Sequence, residues 1–310
     1  MPSLRPRGAR QRGLSLRGLR HLHLSDLLVP RRGAVRHVRR QVAGGELTPR
    51  EYAAGAVGVA AITPLLAGPT VRAEQVSQLV LGETATLLAE EGDWRRLRGT
   101  HDGYEGWAHR GYLRELDAGA LESWRPTGWS QGAELDAGGV RVHLPLRARV
   151  GLENGGIQLP DGGTGRLVSG GVAARAAAIA DARATPPEEW AAHHFLGTPY
   201  QWGGVTPWGA DCSGLVQTTF AARGLAVPRD AHDQAQAGTP VPLDLARPGD
   251  LLFFRGETSE RITHVAFLSS GRLLVHSTIS CGGVVKEDWH PGSEAWGRLE
   301  RRLVAVRRLE

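Results

Sequence analysis

The chain has 310 residues, of which 42 are Gly and 18 are Pro. This many turn-forming residues argues against a mainly helical protein, and the length predicts two or three domains. Two cysteines, Cys212 and Cys281, are too few for a disulfide framework. No run of about 18 apolar residues occurs, so no transmembrane helix is predicted.

The formal net charge of +5 is unevenly distributed. Residues 1–50 carry twelve Arg and only two acidic residues, Asp26 and Glu46, so this stretch has a charge of +10 and the rest has −5. Basic tails can bind nucleic acid or anionic lipid. These arginines lack interleaved aromatic residues and a nucleic-acid-binding motif. We therefore interpret residues 1–50 as a disordered Arg-rich tail, with a start codon placed too far upstream as the alternative.

Short strand-like segments separated by turns follow from residue 51 to 117. We interpret the apolar run Ala53–Leu66 as the first of these strands. The segments Gly82-Glu83, Gly92-Asp93-Trp94 and Asp102-Gly103-Tyr104-Glu105-Gly106-Trp107 resemble a bacterial SH3-like barrel. Alternating residues at 140–150 and a Gly-rich hairpin at 155–168 predict a second, degenerate barrel over residues 118–180.

A cysteine stands at the beginning of a predicted helix in Gly209-Ala210-Asp211-Cys212-Ser213-Gly214-Leu215-Val216. Gly209 permits a sharp turn, and Asp211 can cap the helix N-terminus. The helix dipole and the unpaired N–H groups there favour a thiolate, the form in which cysteine acts as a nucleophile. The alternative is a buried structural cysteine, which a lone cysteine would favour.

Two strands are predicted downstream, at Arg261–Leu268 and Arg272–Ser277, with a turn at residues 269–271. This register would place His264 directly opposite His276, with Cβ atoms about 4.5–5.5 Å apart. One imidazole could then hold the other in the tautomer that catalysis needs. A zinc site is the alternative use of Cys212 and the two histidines, but it lacks a fourth ligand and a Cys-x-x-Cys pair. We therefore expect no metal and no other cofactor.

Six separated motifs between about residues 186 and 310 resemble the NlpC family, papain-like cysteine peptidases that act on bacterial cell-wall peptides. In order, they are Gly197-Thr198-Pro199-Tyr200-Gln201-Trp202-Gly203-Gly204, Asp211-Cys212-Ser213-Gly214, Pro228-Arg229-Asp230, Pro248-Gly249-Asp250-Leu251-Leu252-Phe253-Phe254, Thr263-His264-Val265 and His276-Ser277. The resemblance implies an α+β fold, with a papain-like NlpC catalytic domain at residues 186–310 preceded by two small SH3-like β-barrels. It also implies that Cys212 attacks an amide, that His264 is the general base, and that His276 orients His264.

The resemblance also implies substrate-binding residues. Relatives with an attached SH3-like domain recognise a free α-amine through an Asp beside the nucleophile and through a Glu and a Tyr of the first barrel. The residues carried over in this chain are Asp211, Ser213, Tyr200, Glu74 and Tyr104, with Glu83 as the alternative to Glu74. The family commonly has Pro-Arg-Asp-Ser, whereas this chain has Ala231 in the last place, which removes one hydroxyl. We interpret Arg229 and Asp230 as a structural ion pair of this loop.

The expected activity is that of a γ-D-glutamyl-L-diamino acid endopeptidase, acting on murein peptides with a free N-terminal L-Ala. The N-terminus lacks a continuous hydrophobic signal core, so we expect cytoplasmic recycling of cell-wall peptides. The first alternative is an exported hydrolase of intact murein, with the barrels as wall-binding modules. The second is a wall-binding module with an inactive peptidase fold, which the presence of Cys212, His264 and His276 argues against. We expect no nucleic-acid partner, and the oligomeric state is not indicated.

Overall fold

A computed structural model describes residues 54–153 and 155–310. The predicted Arg-rich tail at residues 1–50 lies outside the described residues. Within them, no helix has both the length and the apolar character needed to cross a membrane.

The first barrel is an antiparallel sheet of seven strands in the order β3-β2-β6-β5-β4-β1-β7. The strands are β1 (Gly55–Gly58), β2 (Ile62–Leu66), β3 (Gln75–Val80), β4 (Thr84–Glu91), β5 (Trp94–Gly99), β6 (Glu105–His109) and β7 (Leu113–Leu116). Small and branched apolar side chains such as Ala56, Leu65 and Leu97 fill its core. The prediction of one strand over Ala53–Leu66 is wrong, because β1 pairs with β4 and β7 while β2 pairs with β3 and β6.

The second barrel is closed by four strands in the order β10-β11-β8-β9. The helix α1 (Ala118–Ser123) precedes β8 (Gly128–Ala137), β9 (Val140–Glu153), β10 (Gly156–Gln158) and β11 (Thr164–Ala174). The long strand β9 bends at Arg147, whose φ is +70°. Leu135, Leu144 and Val150 form part of its buried core.

A six-stranded antiparallel sheet, ordered β14-β19-β15-β16-β17-β18, forms the base of the third domain. Its strands are β14 (Thr239–Pro240), β15 (Leu251–Arg255), β16 (Ile262–Ser269), β17 (Leu273–Thr278), β18 (Gly283–Asp288) and β19 (Leu303–Arg308), while β12 (Val205–Thr206) and β13 (Gly209–Ala210) form a separate hairpin. The helices are α2 (Arg175–Ala184), α3 (Pro187–Phe195), α4 (Cys212–Ala222), α5 (Ala231–Gln234) and α6 (Glu294–Leu299).

Every residue of α4 is buried. Its apolar side chains Leu215, Val216 and Phe220 join one core with Phe253 and Phe267 of the sheet. A helix that is enclosed on all sides is held in place by its packing. The first residue of α4 is Cys212, so the fold fixes the position of the thiol.

Candidate active site

Cys212 begins α4, and Asp211 caps the helix by accepting a hydrogen bond from the Gly214 N–H at 2.7 Å. The segment containing Gly204 crosses this helix start so closely that a Cβ on Gly214 would lie 2.0 Å from the Gly204 carbonyl oxygen. Glycine is therefore required at position 214. The Cys212 side chain is buried, with the residue 6% exposed.

The Cys212 thiol lies against β16, since its sulfur is 3.9 Å from the carbonyl oxygen of Thr263. Thr263 directly precedes His264, so the structure brings the thiol to the strand segment that carries the imidazole. In the described part of the chain, no hydrogen bond joins the Cys212 sulfur to the ring of His264. Contacts between a nucleophile and its base are often loose before substrate binds.

Burial, assisted by the charge of Asp211, raises the pKa of the Cys212 thiol to about 12. Burial and the neighbouring His276 hold the pKa of His264 well below its ordinary value. The prediction that the helix start favours a thiolate is therefore wrong for the resting protein, because desolvation disfavours the charged form. Both shifts favour the uncharged forms of the thiol and the imidazole.

The register of the β16–β17 hairpin differs from the predicted one. Ser269 pairs with Leu273 and Phe267 pairs with Val275, because Gly271 and Arg272 take the left-handed turn conformations, with φ of +70° and +57°. The turn is thus one residue further along the chain, and the prediction that His264 and His276 lie directly opposite each other is wrong.

The two histidines nevertheless meet. A register shift of two residues keeps both side chains on the same face of the sheet. The Nε2 atom of His264 lies 2.8 Å from Nδ1 of His276, within hydrogen-bond distance. This contact leaves Nδ1 as the ring nitrogen of His264 that is available to a thiol.

Glu287, which the sequence patterns did not indicate, follows His276 in this series of contacts. Its Oε2 atom lies 2.8 Å from Nε2 of His276, and its Oε1 atom accepts a hydrogen bond from Arg298 at 2.5 Å. The hydrogen bond with His276, with a further contribution from Arg298, lowers the pKa of Glu287 to about 2. His276 pairs with Val285 of β18, and Glu287 is two residues further on the same face. Recognising β18 as a strand would have found it.

The buried Asp211 carboxylate accepts five hydrogen bonds from four residues, namely the N–H groups of Gly203 and Gly214, the Ser213 hydroxyl and two nitrogens of Arg229. The Arg229 NH2 group lies 2.6 Å from Asp211 Oδ2, and both side chains are buried. The interpretation of Arg229 and Asp230 as an ion pair is therefore wrong. Arg229 pairs with Asp211 and partly offsets its charge.

Tyr104 of the first barrel reaches the peptidase domain. Its hydroxyl donates to the Asp230 carboxylate, with distances of 3.3 and 3.4 Å to the two oxygens. Burial and the charge of Asp230 raise the pKa of Tyr104 to about 12. On the same side, the Gln75 side chain donates to the Trp202 carbonyl at 2.9 Å and Arg229 donates to Ser77 at 3.2 Å. The first barrel thus borders the loops that surround Cys212.

The two candidate glutamates of the first barrel have different surroundings. Glu74 is exposed and directly precedes Gln75, so it lies at the rim where the barrel meets the peptidase domain. Glu83 is buried and contacts the second barrel through Arg147 and Arg149 at 3.4 and 3.2 Å. This ion-pair cluster removes Glu83 from solvent, so the structure contradicts the alternative that used Glu83 for substrate.

Tyr200 and Ser213 lie beside the nucleophile. Tyr200 is half-buried, and its backbone N–H donates to the Gly282 carbonyl at 2.8 Å. Burial raises its pKa, and the nearby Cys212 adds to the effect. The Ser213 hydroxyl is buried between Asp211 and Arg229. Across residues 54–153 and 155–310, no group of three or more His, Cys, Asp and Glu side chains has the arrangement of a metal site.

Comparisons with known proteins match two parts of the chain. Residues 197–296 match the model of the NlpC/P60 family, and residues 63–114 match that of the bacterial SH3 domain. A γ-D-glutamyl-L-lysine dipeptidyl-peptidase of Bacillus subtilis is 32% identical over 221 residues, which cover 65% of this chain and 71% of the relative. A γ-DL-glutamyl hydrolase of the same organism is 40% identical over 97 residues, or 30% of this chain and 24% of the relative.

Among solved structures, an NlpC/P60 family protein from Bacillus cereus aligns with a TM-score of 0.67. The alignment covers 82% of this chain and 99% of that one at 19% identity, so this likeness concerns the fold. The sequence relationship to the dipeptidyl-peptidase extends over most of that relative. The chain therefore belongs to the NlpC/P60 family of cysteine peptidases.

Proposed function

We propose that this protein hydrolyses the γ-D-glutamyl–L-diamino acid bond of murein peptides that carry a free N-terminal L-Ala. The observation that carries the proposal is the 2.8 Å contact between His264 and His276 beside the buried thiol of Cys212. This arrangement supplies a nucleophile, a general base and a group that orients the base. The names of the two Bacillus subtilis relatives, which both act on glutamyl bonds, support the choice of substrate.

The chemistry follows from the position of the Cys212 thiol beside the strand that carries His264. The sulfur of Cys212 attacks the carbonyl carbon of the γ-glutamyl amide while Nδ1 of His264 takes the thiol proton. Asp211 occupies the Gly214 N–H, so we assign the stabilisation of the oxyanion to a backbone N–H nearer Cys212 at the start of α4. The imidazolium then protonates the leaving amine, and a thioester remains on Cys212. Water, deprotonated by His264, hydrolyses the thioester and restores the thiol.

Recognition of the free amine depends on which carboxylates keep their charge. Asp211 is already paired with Arg229, so Asp211 is not the carboxylate that best suits an ammonium. Asp230 accepts a hydrogen bond from the uncharged hydroxyl of Tyr104, and Glu74 is exposed at the nearby rim. We assign the ammonium of L-Ala to Asp230, Tyr104 and Glu74, because a charged donor pairs most strongly with an ionised acceptor.

The test compares L-Ala-γ-D-Glu-L-Lys with its N-acetylated copy, and mass spectrometry identifies the products. The proposal expects release of L-Ala-γ-D-Glu from the free tripeptide and little cleavage of the acetylated one. Equal rates on both peptides would refute the recognition of the amine. A requirement for a free amine suits peptides already detached from sugar, and thus recycling in the cytoplasm. Efficient digestion of intact sacculi would favour the exported hydrolase instead.

A further inference from the structure

Four side chains form a continuous line of contacts behind the nucleophile. His264 contacts His276 at 2.8 Å, His276 contacts Glu287 at 2.8 Å, and Arg298 donates to the second oxygen of Glu287. The His276 and Glu287 side chains are 1% and 15% exposed. Water therefore has little access to these hydrogen bonds, and the positions of the protons depend on which of the four side chains donate and which accept.

The position of each proton follows from the Glu287 carboxylate, which can only accept hydrogen bonds. An ionised carboxylate only accepts hydrogen bonds, so Nε2 of His276 must carry the proton that Glu287 accepts. With one proton per ring, Nδ1 of His276 is then unprotonated and accepts a hydrogen bond from Nε2 of His264. Nδ1 of His264 is consequently unprotonated as well, so it can take the thiol proton as a general base.

We propose that Glu287, held by Arg298, is a positioning residue that sets the tautomers of both His276 and His264. This role of Glu287 rests on the proposed function only for the readout that measures peptide cleavage. The charged groups that face His264 besides Glu287 are Arg298 and Arg302. Both are cations that do not accept a proton. Glu287 is therefore the group that can place the protons on Nε2 of both histidines and leave Nδ1 of His264 free to act as a base.

The variant Glu287→Gln makes the proposal testable because Arg298 constrains the new amide. A guanidinium only donates, so the amide oxygen must face Arg298 and the amide NH2 must face His276. Nε2 of His276 must then accept, and the proton order reverses along both rings. Nδ1 of His264 acquires a proton and cannot serve as a base. In Glu287→Gln/Arg298→Met this constraint is removed, and the amide can turn its oxygen to His276.

Two readouts follow the effect in a Cys281→Ser background, since Cys281 is an exposed thiol. We expect Glu287→Gln to lower both kcat on the free tripeptide and the rate of Cys212 alkylation by iodoacetamide at pH 7 by about 100-fold or more, with KM little changed. The added Arg298→Met change should recover at least about tenfold of that loss. Ring ¹⁵N chemical shifts should show the protons moving from Nε2 to Nδ1 in Glu287→Gln.

The matched control is Glu115→Gln, which also removes a carboxylate paired with an arginine, Arg95 at 2.7 Å, but has no hydrogen bond to a histidine within residues 54–153 and 155–310. Its two rates should stay within about twofold of the parent. Wild-type rates in Glu287→Gln, or a loss that Arg298→Met does not relieve, would overturn the proposal. Alkylation requires no peptide, so a wild-type protein that is alkylated but cleaves no murein peptide would refute only the proposed function.

Discussion

Tyr104 and Asp230 are 126 residues apart in the sequence, yet the hydroxyl of the first donates to the carboxylate of the second. Tyr104 lies in the loop between β5 and β6 of the first barrel, and Asp230 precedes α5 of the peptidase domain. In the same loop, Asp102 accepts a hydrogen bond from Gln217 of α4 at 2.9 Å. This loop therefore links the first barrel to the helix that carries the nucleophile.

Replacing Tyr104 with Phe should weaken the binding of peptides that have a free amine. The change removes the hydroxyl but keeps the ring, so we expect KM for L-Ala-γ-D-Glu-L-Lys to rise about tenfold with kcat nearly unchanged. Steady-state kinetics on the free and the N-acetylated tripeptide measure this effect. A similar loss on both peptides would contradict a role for Tyr104 in recognising the amine.

Replacing Arg229 with Met should destabilise the protein because it leaves the Asp211 carboxylate buried without a counter-charge. The expected loss is about 3–5 kcal/mol in the free energy of unfolding, measured by urea denaturation at pH 7. The control is Arg141→Met, whose side chain is half exposed and contacts Glu134 at 3.5 Å. That variant should change the free energy by less than about 1 kcal/mol. Equal losses in both variants would refute the structural importance of the Arg229–Asp211 pair.

The buried carboxylate of Glu83 should make stability depend on pH. Burial alone would raise its pKa, but Arg147 and Arg149 outweigh burial and lower the pKa to about 2. A lowered pKa stabilises the folded state above the unfolded value near 4.5, and this contribution is lost as the pH falls toward 2. The wild-type protein should therefore be more stable than Glu83→Gln by about 3 kcal/mol at pH 7.

The difference between the two proteins should shrink as the pH falls below about 4. Urea denaturation at pH 7 and pH 3 measures it. A difference that stays constant across this range would show that the Glu83 carboxylate has an ordinary pKa in the folded protein.

Replacing Gly214 with Ala should disrupt the start of α4. The added Cβ would lie 2.0 Å from the Gly204 carbonyl oxygen, so the segment must move away from the helix and shift the surroundings of Cys212. We expect a lower melting temperature and a loss of kcat/KM of at least about tenfold. Gly297→Ala is the matched control, since this helical glycine has open space around it. That change should stabilise the protein by about 0.5–1 kcal/mol.

The sequence indicated Cys212, His264 and His276 because each belongs to a short local pattern. An Asp-Cys pair before an apolar helical stretch, and histidines on two consecutive strands, can be recognised without tertiary information. The pairing partner of Arg229 could not be recognised in this way. Asp211 is 18 residues away, and only the packing of the loops around α4 brings the two together.

The errors in the hairpin and at the nucleophile have physical causes. The predicted turn ended at Gly271, whereas Arg272 also takes a positive φ, a conformation that its side chain disfavours. At Cys212, the helix dipole favours a thiolate, but enclosure by the sheet and the Asp211 charge have the larger effect. The extent of that enclosure depends on the tertiary fold.

The loop that carries Tyr104 connects two strands of a module that folds around its own core. The groups proposed to break the bond, by contrast, all lie on α4, β16, β17 and β18. Substitution of Tyr104, whose hydroxyl bonds Asp230 and none of these groups, could consequently change which peptides are accepted without altering the bond-breaking machinery. New substrate preferences can thus arise at the tip of one barrel loop while the strands and the helix that break the bond stay as they are.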